Sequence, residues 1–308
     1  MSHAHHSHAR HAVHAHERRL DRAFALGAGL NVAFLLVEAV AGVIAHSVAL
    51  LADAGHNLSD VLGLGLAWGA SVLARRPPSG RFTYGLRSST IWAALANAAA
   101  LLIAVGAISL EALQRFSRPV AVEGGTVALV ALAGVIVNAA TAALFMRGRE
   151  RDLNRRGVFV HMAADAAVSL GVALGGVAIM WTGRNWIDPA ISLAVAGFIV
   201  VAAWDVLRES ISLALHSAPR SIELDAVRAC LGALPGVERV HDLHVWAMST
   251  SETALTAHLV MPHGHPGDAL LTRACHELAE RFAIGHATLQ VESGDPAHPC
   301  RLEPEETA

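Results

Sequence analysis

Two stretches of this sequence place ionisable side chains where such groups are costly. LADAGHNLSD (residues 51–60) and HMAAD (residues 161–165) each carry a His-x-x-x-Asp pair, His56 with Asp60 and His161 with Asp165, inside a long apolar run. A charged group at the centre of a membrane-spanning helix costs about 2.5–3.5 kcal/mol on insertion scales, so a functional role is the default expectation. Residues i and i+4 of an α-helix lie on one face, a turn apart. Each helix therefore presents an imidazole and a carboxylate together. Two such helices face to face supply two nitrogen and two oxygen ligands, a complete tetrahedral shell for Zn²⁺. The cation also balances the carboxylates. A single buried His or Asp is ordinarily an interhelical hydrogen-bond partner, but two identical pairs in separate runs are poorly explained that way.

The elements that must position these pairs read as transmembrane helices. The chain is 54% hydrophobic and 16% charged, with a mean hydropathy of +0.44, too apolar for an ordinary soluble domain. Apolar runs of roughly 20 or more residues, enough to cross about 30 Å of hydrocarbon, recur at 23–44, 49–74, 88–112, 122–146, 158–181 and 188–213. They lack the alternation a barrel needs. With these bounds His56 lies about 12 Å from the outer end of its span and Asp165 about 12 Å from the inner end of its own, a mismatch of roughly 6 Å that helix tilt or longer spans must absorb. The basic residues, all Arg, crowd the segments before the first run and those at 75–87 and 147–156. The positive-inside rule then places both termini in the cytoplasm, and an even number of spans agrees with that. No cleavable signal peptide is visible before Arg22.

The expected organisation is a His-rich, disordered tail over 1–22, a six-helix transmembrane domain over 23–216, a cytoplasmic α+β domain over 217–296 and a short tail over 297–308. The α+β domain reads α-β-β-α-β, a ferredoxin-like or metallochaperone-like two-layer unit. Its helices are expected at 221–233, capped by Ser221, and at 267–283, with Ala269, Leu270, Ala274, Leu278 and Phe282 as the apolar stripe. Its strands are expected at 238–248, 253–262 and 286–293. All three cysteines lie at 230 or beyond. Their odd number on a cytoplasmic side argues against disulfides, and Cys230 and Cys275 fall in apolar helical patterns that suggest core positions.

The segments SVALLADAGHNLSD (47–60) and NRRGVFVHMAAD (154–165), six spans and an α+β tail together resemble the cation diffusion facilitator family, in particular its zinc-transporting bacterial branch of the cobalt–zinc–cadmium resistance type. The likeness runs over about residues 20–295. It implies a homodimer in the cytoplasmic membrane that exchanges cytoplasmic Zn²⁺ for protons by alternating access, with His56, Asp60, His161 and Asp165 as the transport site. It also implies a cytoplasmic Zn²⁺ site at His241, His258, His286 and Glu292. Some members carry a further site in the loop between spans two and three, but residues 75–87 here contain no Asp or His. The partners expected are Zn²⁺, H⁺, lipid and a second copy of the chain, with no nucleic acid.

Other residues leave alternatives open. Asp53 is either a neighbour of the transport site or a group near the outer end of its span. Glu38, Asn57, Asn97 and Asn138 read as interhelical hydrogen-bond partners. The seven histidines between His3 and His16 suit loose metal capture. His298 and Cys300 have the right chemistry to add ligands to the tail domain, and His244 belongs on the opposite strand face from His241. Rival functions are a metal sensor that moves nothing, a transporter of Co²⁺, Cd²⁺ or Ni²⁺, and a membrane metalloprotease. The protease reading lacks its His-Glu-x-x-His motif, since neither His16-Glu17 nor His276-Glu277 is followed by the second His.

Overall fold

The structure is a computed structural model describing residues 29–146 and 153–302. The His-rich stretch and the start of the first expected span lie outside the described residues. The chain divides into two compact units, one comprising the residues up to Leu64 with Asn97–Trp204, the other Gly65–Ala96 with Asp205 onward.

The apolar runs fold as helices α1 (Gly29–Ile44), α2 (Val48–Ala74), α3 (Ser89–Ser117), α4 (Gly124–Met146), α5 (Leu153–Thr182) and α6 (Ile187–Ala214). Five of them, α2 to α6, are long and apolar enough to cross a membrane. Among the described residues α1 is shorter, so the expectation of six full spans stands at five long helices and this one.

The turn between α1 and α2 is held by side chains. His46 takes a positive φ of 54°, and Ser47 Oγ accepts from Leu50 N at 3.1 Å, the bond by which an N-cap serine satisfies an orphan amide of the first helical turn. Asp188, at the start of α6, adds a second cap from a distance. It accepts from Val48 N at 2.8 Å and Ala49 N at 3.4 Å, and the Ser47 hydroxyl donates to it. A carboxylate at a helix N-terminus also meets the positive end of the helix dipole.

Helix association without water relies on small residues that let backbones approach, and α4 and α5 do this. A Cβ on Gly176 would lie 2.5 Å from Ala128 N, and one on Gly124 would lie 2.6 Å from Gly176 O. The interior of this unit is accordingly small and aliphatic, with Ala41, Ala45, Leu50, Val105, Ala131 and Ile199 among its buried residues.

The tail domain follows the expected order: α7 (Leu224–Gly232), β1 (Arg239–Ala247), β2 (Thr253–Val260), α8 (Asp268–Phe282) and β3 (Ile284–Glu292). β1 pairs antiparallel with β2, and β2 parallel with β3 across the α8 crossover, in sheet order β1-β2-β3. Val227, Leu231, Leu255, Leu259, Leu278 and Ile284 fill the core between helices and sheet.

Two local expectations are corrected. Ser221 does not cap α7. Ile222 is buried and its N–H bonds Pro219 O at 2.9 Å, so the chain is still turning there and Glu223 takes the N-cap place without a side-chain bond. Cys275 is exposed, because one step past Ala274 rotates it off the stripe of Ala274 and Leu278. Cys230 is buried as expected, and burial pushes its thiol up. The loop between α2 and α3 is tied to the tail domain by Arg87, whose Nη1 lies 3.0 Å from Glu252 Oε2.

Candidate metal centres

α2 and α5 bring their two pairs together. Between the helices, His56 Nε2 lies 3.4 Å from Asp165 Oδ1 and His161 Nε2 lies 3.3 Å from Asp60 Oδ2. Within each helix the His–Asp separation is 3.7 Å. A tetrahedral ion with ligands at about 2.0–2.1 Å sets ligand–ligand edges of roughly 3.3–3.4 Å, so these four separations suit one shared ion. His56, Asp60 and Asp165 offer atoms all within 4.8 Å of one another, whereas the His161 ring centroid stands 6.2 Å from that of His56. Asp60 Oδ2 and Asp165 Oδ2 are buried and, although imidazole nitrogens stand near them, accept no well-formed hydrogen bond among the described residues, a demand a cation would meet.

The depth mismatch does not keep the pairs apart, and α5 is longer than its apolar run. α5 begins at Leu153, five residues before the expected inner end of its span, which adds about 7.5 Å at 1.5 Å per residue. Exposure divides the site in two. The side chains of His56 and Asp165 are 10% and 2% exposed, those of His161 and Asp60 45% and 31%.

Asp53 is fully buried, and its Oδ2 accepts from Ser169 Oγ on α5 at 2.8 Å. Glu38, also fully buried, accepts from Asn57 Nδ2 at 3.1 Å. Asn138 is buried without a hydrogen-bond partner among the described residues.

The tail domain gathers a second set: His241, His258, Glu292 and Cys300. His241 Nε2 lies 3.0 Å from Glu292 Oε2, His258 Nδ1 lies 2.9 Å from Glu292 Oε1, and Cys300 Sγ lies 3.6 Å from His258 Nδ1. Burial pushes the Glu292 carboxyl up, but donors from Cys300, Gln290 and His241 outweigh it and hold the group below the usual carboxylate range. Two nitrogens, a carboxylate and a thiol match in number and type the donors of a closed Zn²⁺ shell.

His286 does not join this set. The parallel register pairs it with Ala254, four residues along β2 from His258, or about 13 Å at 3.3 Å per residue. Its ring packs edge-on against Tyr84, with centroids 5.5 Å apart. Cys300 stands in the cluster in its stead. The chain turns back after β3 through Gly294, whose φ is +70° and where a Cβ would lie 2.8 Å from Val260 Cγ1. The His-x-Cys at 298–300 and the Ser-Gly-Asp-Pro turn at 293–296 were the available signals; His298 itself is exposed. Asp242, given no role from the sequence, also lies beside the cluster. A bulge between His241 and His244 and a φ of 48° at Asp242 aim its carboxylate at His258 Nε2, 3.5 Å away, the outer partner that fixes a ligand imidazole. His244 stands apart, paired with Asp242 at 2.9 Å.

Comparison with known proteins places both parts. The family model for the cation efflux transmembrane domain matches residues 25–213, and that for the cation efflux protein cytoplasmic domain matches residues 219–294. The Zinc transporter ZitB of Escherichia coli is 37% identical over 297 residues, 95% of this chain and 94% of that protein. The Metal cation efflux system protein CzcD of Cupriavidus metallidurans is 32% identical over 280 residues, 91% of this chain and 89% of that protein. The Cadmium, cobalt and zinc/H(+)-K(+) antiporter of Bacillus subtilis is 32% identical over 265 residues, 84% of this chain and 85% of that protein. The chain belongs to the cation efflux family, the cation diffusion facilitators, and is a multi-pass membrane protein of that family.

Proposed function

We propose that the chain exports Zn²⁺ from the cytoplasm in exchange for protons, with His56, Asp60, His161 and Asp165 as ligands of the ion in transit. The observation that carries this is the meeting of two His-x-x-x-Asp pairs from separate helices, at 3.3 and 3.4 Å between them. The zinc named for the E. coli relative and the proton antiport named for the B. subtilis relative support it.

Metal binding needs neutral imidazoles and ionised carboxylates, so protons and Zn²⁺ compete for the same atoms. Loading Zn²⁺ from one side releases protons, and loading protons from the other releases Zn²⁺. With both termini in the cytoplasm, the orientation the arginine-rich segments favour, α2 runs inward and α5 outward. Asp60 and His161 are then the inner members of their pairs and the more exposed ones, while the outer members are closed over. That is a site accessible from the cytoplasm. A resident Zn²⁺ in the tail domain, held by His241, His258, Glu292 and Cys300, would steady a homodimer.

The test is transport by the purified protein in proteoliposomes, with a panel of divalent metals and an imposed pH gradient. Zn²⁺ entry coupled to proton exit is expected, and His56→Ala abolishes it. Full Zn²⁺ flux in His56→Ala sinks the assignment. Co²⁺ and Cd²⁺ belong in the panel because the B. subtilis relative is named for them and affinity order alone does not select zinc.

A further inference from the structure

Glu38 on α1 and Asp53 on α2 are both fully buried, and Asn57, one turn along α2 from Asp53 and on its face, bonds Glu38 and holds it against that face, where the two carboxyls act on each other. Each has one oxygen served by a donor: Asn57 Nδ2 reaches Glu38 Oε2, and Ser169 Oγ reaches Asp53 Oδ2. The other two oxygens, Glu38 Oε1 and Asp53 Oδ1, have no donor among the described residues. An ionised carboxylate offers only acceptors, and two carboxyls in contact away from water do not both ionise. Either a proton or a cation must sit between them. Among the described residues, the ionisable groups from neighbouring positions whose charge reaches the pair are His56 from α2 and Asp165 from α5.

The pair also has a position. Asp53 lies three residues before His56 on α2, and Ser169 lies four residues after Asp165 on α5. Both steps point the same way, about one helical turn from the buried members of the transport site, on the outer side in the proposed topology. We propose that Glu38 and Asp53 form a second cation site one turn outward of the transport ligands, occupied by a shared proton at rest, which the departing Zn²⁺ displaces. The exchange balances. The O–H bond of the protonated carboxyl breaks, the two carboxylates take the divalent ion, and the freed proton goes to an imidazole the ion has just left or to water. This rests on the reading of His56, Asp60, His161 and Asp165 as the transport site.

Glu38→Gln and Asp53→Asn keep the shape but fix a neutral amide donor in the proton's place. The purified variants are expected to bind Zn²⁺ with nearly wild-type affinity, while proteoliposome flux falls more than tenfold and stops responding to the pH of the outer compartment. Unchanged flux and unchanged response to outer pH overturn the proposal, and so does a loss of Zn²⁺ binding that accounts for the whole loss of flux. Infrared difference spectroscopy of the wild-type protein needs no variant. It is expected to show a protonated carboxyl C=O band that disappears when Zn²⁺ is added. A pair ionised without Zn²⁺, holding Na⁺ or K⁺, overturns the proton as occupant. Failure of the wild-type protein to bind Zn²⁺ through Asp165 removes the transport-site reading itself, and is told apart by measuring Zn²⁺ binding in wild type and Asp165→Ala.

Discussion

The membrane unit and the tail domain each assemble two imidazoles with acidic groups, yet they do so differently. In the membrane unit, all four side chains come from two helices, in pairs fixed by the i,i+4 spacing, and half of the set is open. In the tail domain, the four come from three strands and a returning tail, and only Glu292 and Cys300 are more than marginally exposed. A site on two helices needs only a tilt of one to break its inter-helix contacts. A site stitched across a sheet and locked by a turn must break the sheet or the turn to open. The first geometry suits an ion that leaves; the second suits one that stays.

That contrast can be broken in three ways. The largest expected effect is Asp165→Ala, which removes the most buried of the membrane ligands. Zn²⁺ flux should fall by about 100-fold or more, at least the loss seen when even an outer partner of a metal ligand is removed, while zinc retained by the tail domain, counted by elemental analysis, stays the same. Parallel loss at both sites would mean that the two are one system. Next is Cys300→Ser. Competition with a chelator should show the affinity of the tail site down by about 10–100-fold, with flux changed far less; an unaltered affinity would remove Cys300 from the shell. The smallest effect is expected for His286→Ala, which should change tail-site affinity by no more than about twofold, the range of surface substitutions. A large drop there would restore His286 as a ligand and require a register different from the one described.

The same contrast explains what the sequence reveals. The membrane pairs are legible because helical periodicity is local: a four-residue spacing is enough to put His56 with Asp60 and His161 with Asp165 on one face. Their depths are less legible, because an apolar run does not give the length of its helix: α5 starts at Leu153 with a polar turn, LNRRG. The tail site depends on pairings that no local pattern contains. His286 is expected as a ligand only because the family resemblance implies it. The parallel register with β2 carries it to Ala254 instead. Asp242 and Cys300 depend on a bulge and on a left-handed glycine, and both follow from three-dimensional closure.

Asp188 carries a consequence of its own. One carboxylate on α6 terminates the amides of another helix, so the first turns of α2 and α6 are pinned at a common pivot. Any rocking that exposes His56 and Asp165 to the far side must either swing these two segments as a single lever or unpin them. A bulkier or neutral group at that pivot would therefore show itself in the speed of turnover before it showed in the strength with which the ion is held.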